Sequence, residues 1–164
     1  MKIVYLIRHA KSDWTQANEK DFDRNLNHRG LRQIPVIASA LKGDPDWCDQ
    51  LYSSTAKRAL LTANGINGLA PTRFEIQCSD HLYLPSVPTL LKWVNQTPDV
   101  LQSVGIICHN PGITDFAEYL CGAFIGNMPT CSVVKITFPA NRWIEISKDT
   151  GQLKSFIYPA QFGI

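Results

Sequence analysis

Four residues carry side chains that together could do chemistry on an anion: Arg8, His9, Arg58 and His109. Arginine presents a planar fork of N–H donors that matches the oxygens of a phosphate group. A neutral imidazole is a nucleophile, and histidine changes charge near neutral pH. Two of each at one place make a strongly cationic pocket, and the ligand this implies is phosphate-like. Taken singly, each has an ordinary reading. A histidine after a strand is commonly a satisfied, half-buried side chain, and an arginine there is commonly paired or solvated. The case rests on where the chain must put all four.

That placement follows from the elements around them. Residues 2–7, KIVYLI, form a nearly continuous apolar run, the pattern of a strand buried on both faces. Arg8-His9 follow it directly. Residues 104–108, VGIIC, read the same way, and His109 follows directly. The short strand candidate QLYS at 50–53 precedes Ser53, Ser54 and Thr55, any of which could cap the helix that carries Arg58, Ala59, Leu60 and Ala63 and ends at Gly65 or Gly68. In an open α/β sheet, ligands bind beyond the carboxyl ends of the strands. All four residues fall at that edge, where helix N-termini add backbone N–H donors for an anion.

The remaining pattern supports the same architecture. Residues 10–26 read as a loop. Asn27 caps a helix carrying Leu31, Ile34, Ile37, Ala38 and Leu41 and stopping near Gly43; Pro35 inside it implies a kink or a later start. A strand is expected at 74–78 and a Pro-bounded helix at roughly 86–96. Asn110-Pro111 open a further helix, with Asn as the cap. Strands are expected at 132–138, at 142–147 (RWIEIS) and, after a KDTG turn, over LKSFIY. Alternating strands and helices followed by β-structure predict a three-layer α/β/α sandwich with a mainly parallel central sheet and an antiparallel edge. One domain over residues 1–164 is the simplest organisation.

Composition narrows the function classes. The chain has 164 residues, a net charge of +2 and 45% hydrophobic residues. Disorder is excluded by the apolar content, and no basic stripe of the kind a duplex binder carries is present. No run approaches the ~20 apolar residues of a membrane span, and the N-terminal run is too short for a signal peptide. The five cysteines, at 48, 78, 108, 121 and 131, are odd in number and contain no Cys-x-x-Cys pair, so reduced thiols in a cytoplasmic protein are expected. Nucleic acid and membrane are thus set aside as partners.

Three segments then carry a resemblance. Leu6-Ile7-Arg8-His9-Ala10-Lys11-Ser12-Asp13-Trp14 resembles the N-terminal signature of the histidine phosphatase, or phosphoglycerate mutase-like, superfamily. Ser53-Ser54-Thr55-Ala56-Lys57-Arg58-Ala59-Leu60-Leu61-Thr62-Ala63 is similar to its Ser-Ser-Pro-x-x-Arg-Ala-x-x-Thr-Ala motif, and Cys108-His109-Asn110-Pro111-Gly112 to its late Gly-His-Asn-Pro-Gly. The Arg-His-Ala-Lys-Ser variant, the stretch from Asp21 through Arg24 to Gly30, and His81-Leu82-Tyr83-Leu84 look most like the SixA-type branch, a minimal core without a large cap insertion. Ala10 replaces the usual Gly, Thr55 the usual Pro, Thr15 the mutases' Asn, and the mutases' acidic motif is absent.

The resemblance implies roles. His9 would be the nucleophile that becomes a phosphohistidine. Arg8, Arg58 and a protonated His109 would hold the phosphoryl oxygens. Ser12 and Asn110 are secondary candidates for substrate contact, Asn110 also for helix capping. Asp80 is the candidate general acid, because this family often places its acid in that segment, with Asp13 and Asp115 behind it. His28 and His81 are expected to be structural or surface groups. Trp14 lies near the expected pocket, and Lys11 and Lys57 could steer an anion. No metal or other cofactor is required by this scheme. The implied activity is a metal-independent phosphatase acting on a phosphorylated substrate, with phosphohistidine on a signalling or carrier protein first. A small-molecule phosphomonoesterase and a non-catalytic phosphate-binding module are the alternatives.

Overall fold

A computed structural model describes residues 1–69 and 75–164. Its centre is β1 (Lys2–Arg8), whose side chains alternate between two hydrophobic layers. Ile3, Tyr5 and Ile7 face one layer; Val4 and Leu6 face the other. β1 pairs in parallel with β4 (Ser103–Cys108) and antiparallel with β5 (Val133–Phe138). β2 (Gln50–Ser54) adds in parallel to β4, and the short β3 (Gln77–Ser79) to β2. β6 (Gln152–Ile157) closes the far edge against β5. The strand order is β3-β2-β4-β1-β5-β6, mostly parallel with an antiparallel edge.

Among the described residues, four α-helices cover the faces. α1 (His28–Lys42) and α2 (Lys57–Leu69) pack on the Tyr5 side through Ile34, Ile37, Leu41, Ala59, Ala63 and Ile66. α3 (Val87–Asn95) and α4 (Gly112–Cys121) pack on the Leu6 side through Leu90, Val94, Ile113, Phe116 and Leu120. This is the three-layer architecture expected. Burial of side chains of this size stabilises the fold by about 1.5–3 kcal/mol each. Among the described residues no helix is long and apolar enough to cross a membrane.

Several local expectations change. Pro35 does not delay α1: Asn27 caps it, its side chain accepting from the Gly30 N–H at 2.9 Å, and the exposed Pro35 is accommodated inside the helix. Leu31 lies on the exposed side, and Gln33 is buried in its place. α2 runs through Gly65 and Gly68 instead of ending there. Gly65 lets α1 approach, since a Cβ at that position would stand 2.6 Å from Ile34 Cγ2. The strand expected at 74–78 appears at Gln77–Ser79, residue 74 lying outside the described residues.

RWIEIS is not a strand. Trp143–Glu145 form a 3₁₀ turn. Glu145 takes the N–H groups of Asn141 and Arg142, and Asp99 takes that of Trp143. These side-chain acceptors replace a strand ladder. Trp143 and Ile146, three apart, are the buried pair, whereas Ile144 is exposed. The antiparallel edge is therefore β5 followed by β6, with this turn in the connection.

Candidate active site

The carboxyl ends of β1, β2 and β4 lie side by side, so Arg8, Ser54 and Cys108 end three adjacent strands. The chain past this edge is tied down by its own backbone. The His9 N–H donates to the Cys108 carbonyl at 3.2 Å, and the Cys131 N–H lies within reach of both the Arg8 and His9 carbonyls. A cavity of about 260 Å³ opens here, lined by Arg8, His9, Lys11, Ser12, Trp14, Asp21, Arg24, Arg58, Leu84, His109, Asn110 and Thr130. The structure thus brings Arg8, His9, Arg58 and His109 together, with Ser12 and Asn110 beside them.

His9 is held in one tautomer. Its Nδ1 stands 2.7 Å from the Ala10 carbonyl oxygen. A carbonyl can only accept, so Nδ1 carries the proton and Nε2 the lone pair. The Arg58 Nε–H points at that Nε2 from 3.3 Å. Burial pushes the His9 pKa down to about 3; the Ala10 bond opposes this, while Arg58, Arg8 and Arg24 reinforce it. The ring is therefore a neutral base at working pH.

His109 sits 5.1 Å away, centroid to centroid. Its Nε2 lies 2.7 Å from the Ser54 hydroxyl oxygen, which also accepts the Ala56 N–H. Burial, then the neighbouring His9 and Arg58, push its pKa down to about 2, with Asp21 opposing. His109 is therefore neutral, in place of the protonated form expected beside an anionic phosphate. Its Nδ1 is buried without a partner, as is Arg8 Nε. Arg8 is anchored instead through Nη1, which donates to the Met128 carbonyl at 2.8 Å.

One acidic residue organises the arginines. Asp21 accepts Arg58 Nη1 on its main-chain oxygen at 2.6 Å and Arg58 Nη2 on Oδ2 at 3.0 Å. Its Oδ1 accepts Arg24 Nη2 at 2.7 Å, and Oδ2 also accepts the Tyr83 hydroxyl at 2.5 Å. Partial burial would raise the Asp21 pKa, but the bonds from Tyr83, Arg24 and Arg58 outweigh it and hold the carboxyl well below the usual range. Arg24 in turn donates to Ser12 Oγ at 2.9 Å and lies 3.4 Å from the centroid of Trp14. Asp21, Arg24 and Tyr83 were not among the candidates drawn from motif chemistry. The only signal was their place in the segments resembling the SixA-type branch.

Asp80 is placed differently from the expectation of an acid. It is exposed, accepts a hydrogen bond from Thr55, and is not among the side chains lining the cavity. Asn110 does not cap α4. Pro111 occupies that position, and the Asn110 side chain turns to Thr114 Oγ1, Asn127 Oδ1 and the Met128 carbonyl. His81 is exposed, as expected of a surface group. Among the described residues no group of three or more His, Cys, Asp or Glu is arranged to hold a metal ion.

A sequence model of the histidine phosphatase superfamily (branch 1) matches residues 4–82. Over this stretch the chain is similar to the histidine phosphatase superfamily. Its fold is that of the SixA-type branch. It superposes on the protein histidine phosphatase SixA complexed with tungstate with a TM-score of 0.82, 19% identity, and coverage of 98% of this chain and 99% of that one. An Agrobacterium tumefaciens protein assigned as the phosphohistidine phosphatase SixA matches with a TM-score of 0.81 and 27% identity, over 96% of this chain and 98% of its own. An uncharacterized protein of Mycobacterium leprae is 28% identical over 93% of this chain and 99% of its length. Together these matches support a phosphatase enzyme.

Proposed function

We propose that this phosphatase removes the phosphoryl group from phosphohistidine carried on a protein, by way of a covalent phosphohistidine on His9. The His9 Nε2 lone pair, released from its long 3.3 Å contact with Arg58 Nε–H as Arg58 turns to the phosphoryl oxygens, attacks phosphorus, forming a P–N bond as the P–N bond to the substrate imidazole breaks. Arg8, Arg58 and His109 hold the phosphoryl oxygens through the transfer, supplying the charge stabilisation that such a transition state needs. Ser12 and Asn110 sit beside them as further contacts. A neutral His109 suffices for its part. With the Ser54 hydroxyl donating to Nε2, the His109 proton lies on the unpartnered Nδ1 and is free for a phosphoryl oxygen. Water then attacks the phosphoenzyme, the P–O bond forming as the P–N bond to His9 Nε2 breaks; a proton of the water stays with the departing orthophosphate, and neutral His9 is regenerated. The tungstate in the SixA structure, a tetrahedral oxyanion, supports a phosphoryl group as the ligand.

One observation favours a phosphoramidate over an ester. The carboxyl among the cavity-lining residues, Asp21, is tied to two arginines and Tyr83 and held ionised. It cannot protonate a departing alkoxide, the step for which an ester normally needs a general acid. An imidazole protonated on its distal nitrogen leaves as a neutral ring and needs no such donor. The test is a comparison of kcat/KM on a phosphohistidine-bearing protein and on a panel of phosphate monoester metabolites. A preference of about 100-fold or more for the protein, ~2.7 kcal/mol in transition-state terms, is expected. A preference for an ester would make the protein a small-molecule phosphomonoesterase, and absence of turnover on both a phosphate-binding module.

A further inference from the structure

We propose that four exposed apolar side chains, Trp14 and Leu84 in the cavity lining and Phe22 and Phe124 on the segments that adjoin it, form a docking collar for the phosphorylated protein; this rests on the substrate reading above. Their exposures are 70%, 37%, 53% and 91%. Trp14 and Leu84 line the cavity itself. Phe22 packs edge-on against Tyr83, ring centroids 5.2 Å apart, and the Tyr83 hydroxyl is bound to Asp21 in the cavity wall. Phe124 belongs to the loop that meets the site through Arg8 and Met128 and through Asn110 and Asn127. Apolar residues gathered at one functional opening, as opposed to scattered singly, mark an interaction surface.

The collar is held outward by the fold. Leu84 has φ of 45°, in the left-handed region that a leucine seldom adopts. Next to it the Pro85 carbonyl is packed against Gly112 so closely that a Cβ there would stand 2.0 Å from the oxygen. The Phe124 loop is equally constrained. The Glu118 carboxylate accepts the N–H groups of Ile125 and Gly126, each at 2.7 Å, and Thr114 Oγ1 accepts that of Met128 at 3.1 Å. The Phe124 ring lies over Gly126. A phenylalanine exposed on so firmly bonded a loop is presented to a partner.

Size and charge identify the occupant. The cavity of about 260 Å³ is smaller than the ~300–1,000 Å³ that encloses a drug-sized ligand. Arg8, Arg24, Arg58 and Lys11 face a single carboxylate in its wall, so it takes the phosphoryl anion and the ring that bears it. The rest of the substrate must lie on the rim. A polar metabolite would find apolar surface there. A folded protein with apolar side chains flanking its phosphohistidine would bury them against the collar.

The experiment compares Phe124→Ser, Phe124→Leu and the control Val100→Ser, whose exposed apolar side chain precedes β4 at the opposite edge of the sheet. Each is assayed on a phosphohistidine-bearing protein and on free phosphohistidine. Phe124→Ser is expected to raise KM for the protein about tenfold, with kcat and all values on free phosphohistidine unchanged; Phe124→Leu retains most of the affinity and Val100→Ser all of it. An unchanged protein KM in Phe124→Ser, an equal rise in Val100→Ser, or parallel losses on both substrates would overturn the collar while leaving the substrate reading intact. Failure of the wild-type enzyme to act on the protein would instead overturn the substrate reading itself.

Discussion

Asp21 is a positioning residue: its carboxylate and main-chain oxygen together fix the guanidinium groups of Arg24 and Arg58 and the hydroxyl of Tyr83. Asparagine at this position keeps one acceptor oxygen but turns an N–H₂ toward donors that need an acceptor. Asp21→Asn should lower kcat/KM by about 10- to 100-fold, ~1.4–2.7 kcal/mol of transition-state stabilisation, in steady-state assays. A change below twofold would show that the arginines hold their places without it. At this scale the sequence was legible where a residue directly follows a strand. Arg8, His9 and His109 could be placed because the strand ends dictate their edge, and Arg58 because a helix start follows β2. Asp21, Arg24 and Tyr83 lie in irregular segments, whose convergence depends on the path of two separate loops. No periodicity encodes that path. Asp80 shows the converse: a carboxylate in a suggestive segment is taken up by Thr55 outside the cavity.

Elements meet closely where glycine allows it. Gly112 begins α4, and a Cβ there would meet the Pro85 carbonyl at 2.0 Å, backbone against backbone. Gly112→Ala should therefore destabilise the fold by about 1–3 kcal/mol and displace the segment carrying Leu84. Thermal unfolding and KM for a protein substrate, measured together, check both effects; an unchanged melting temperature would mean that the segment moves freely. Hydrophobic periodicity marked β1, β4, α1, α3 and α4 well, because these elements bury whole faces. It failed at RWIEIS, where the alternation of the side chains is strand-like. Asp99 and Glu145 capture the backbone N–H groups from elsewhere in the fold, and sequence patterning does not report such bonds. Asn110-Pro111 failed for a related reason, since Thr114, Asn127 and Met128 claim the asparagine side chain.

For the whole molecule, a net charge of +2 conceals a local concentration of cations around two buried, neutral histidines. That arrangement has a cost in acid. In the unfolded chain a histidine binds its proton near pH 6.5, whereas folded His9 and His109 resist protonation down to about 3 and about 2. Stability is thus full above pH 6.5 and falls below it, by about 1.4 kcal/mol per pH unit for each group. Between pH 6 and pH 5 the melting temperature should drop by roughly 5–10 °C, and orthophosphate should offset part of the loss by favouring the charged imidazoles. A flat profile would contradict the buried, neutral state of the pair. The central claim is that His9 is the nucleophile. Enzyme quenched rapidly without acid after mixing with a labelled phosphohistidine protein should carry the label on His9 as an acid-labile, alkali-stable bond, and His9→Ala should carry none and hydrolyse nothing. Wild-type turnover by His9→Ala, or label on another residue, would contradict the account.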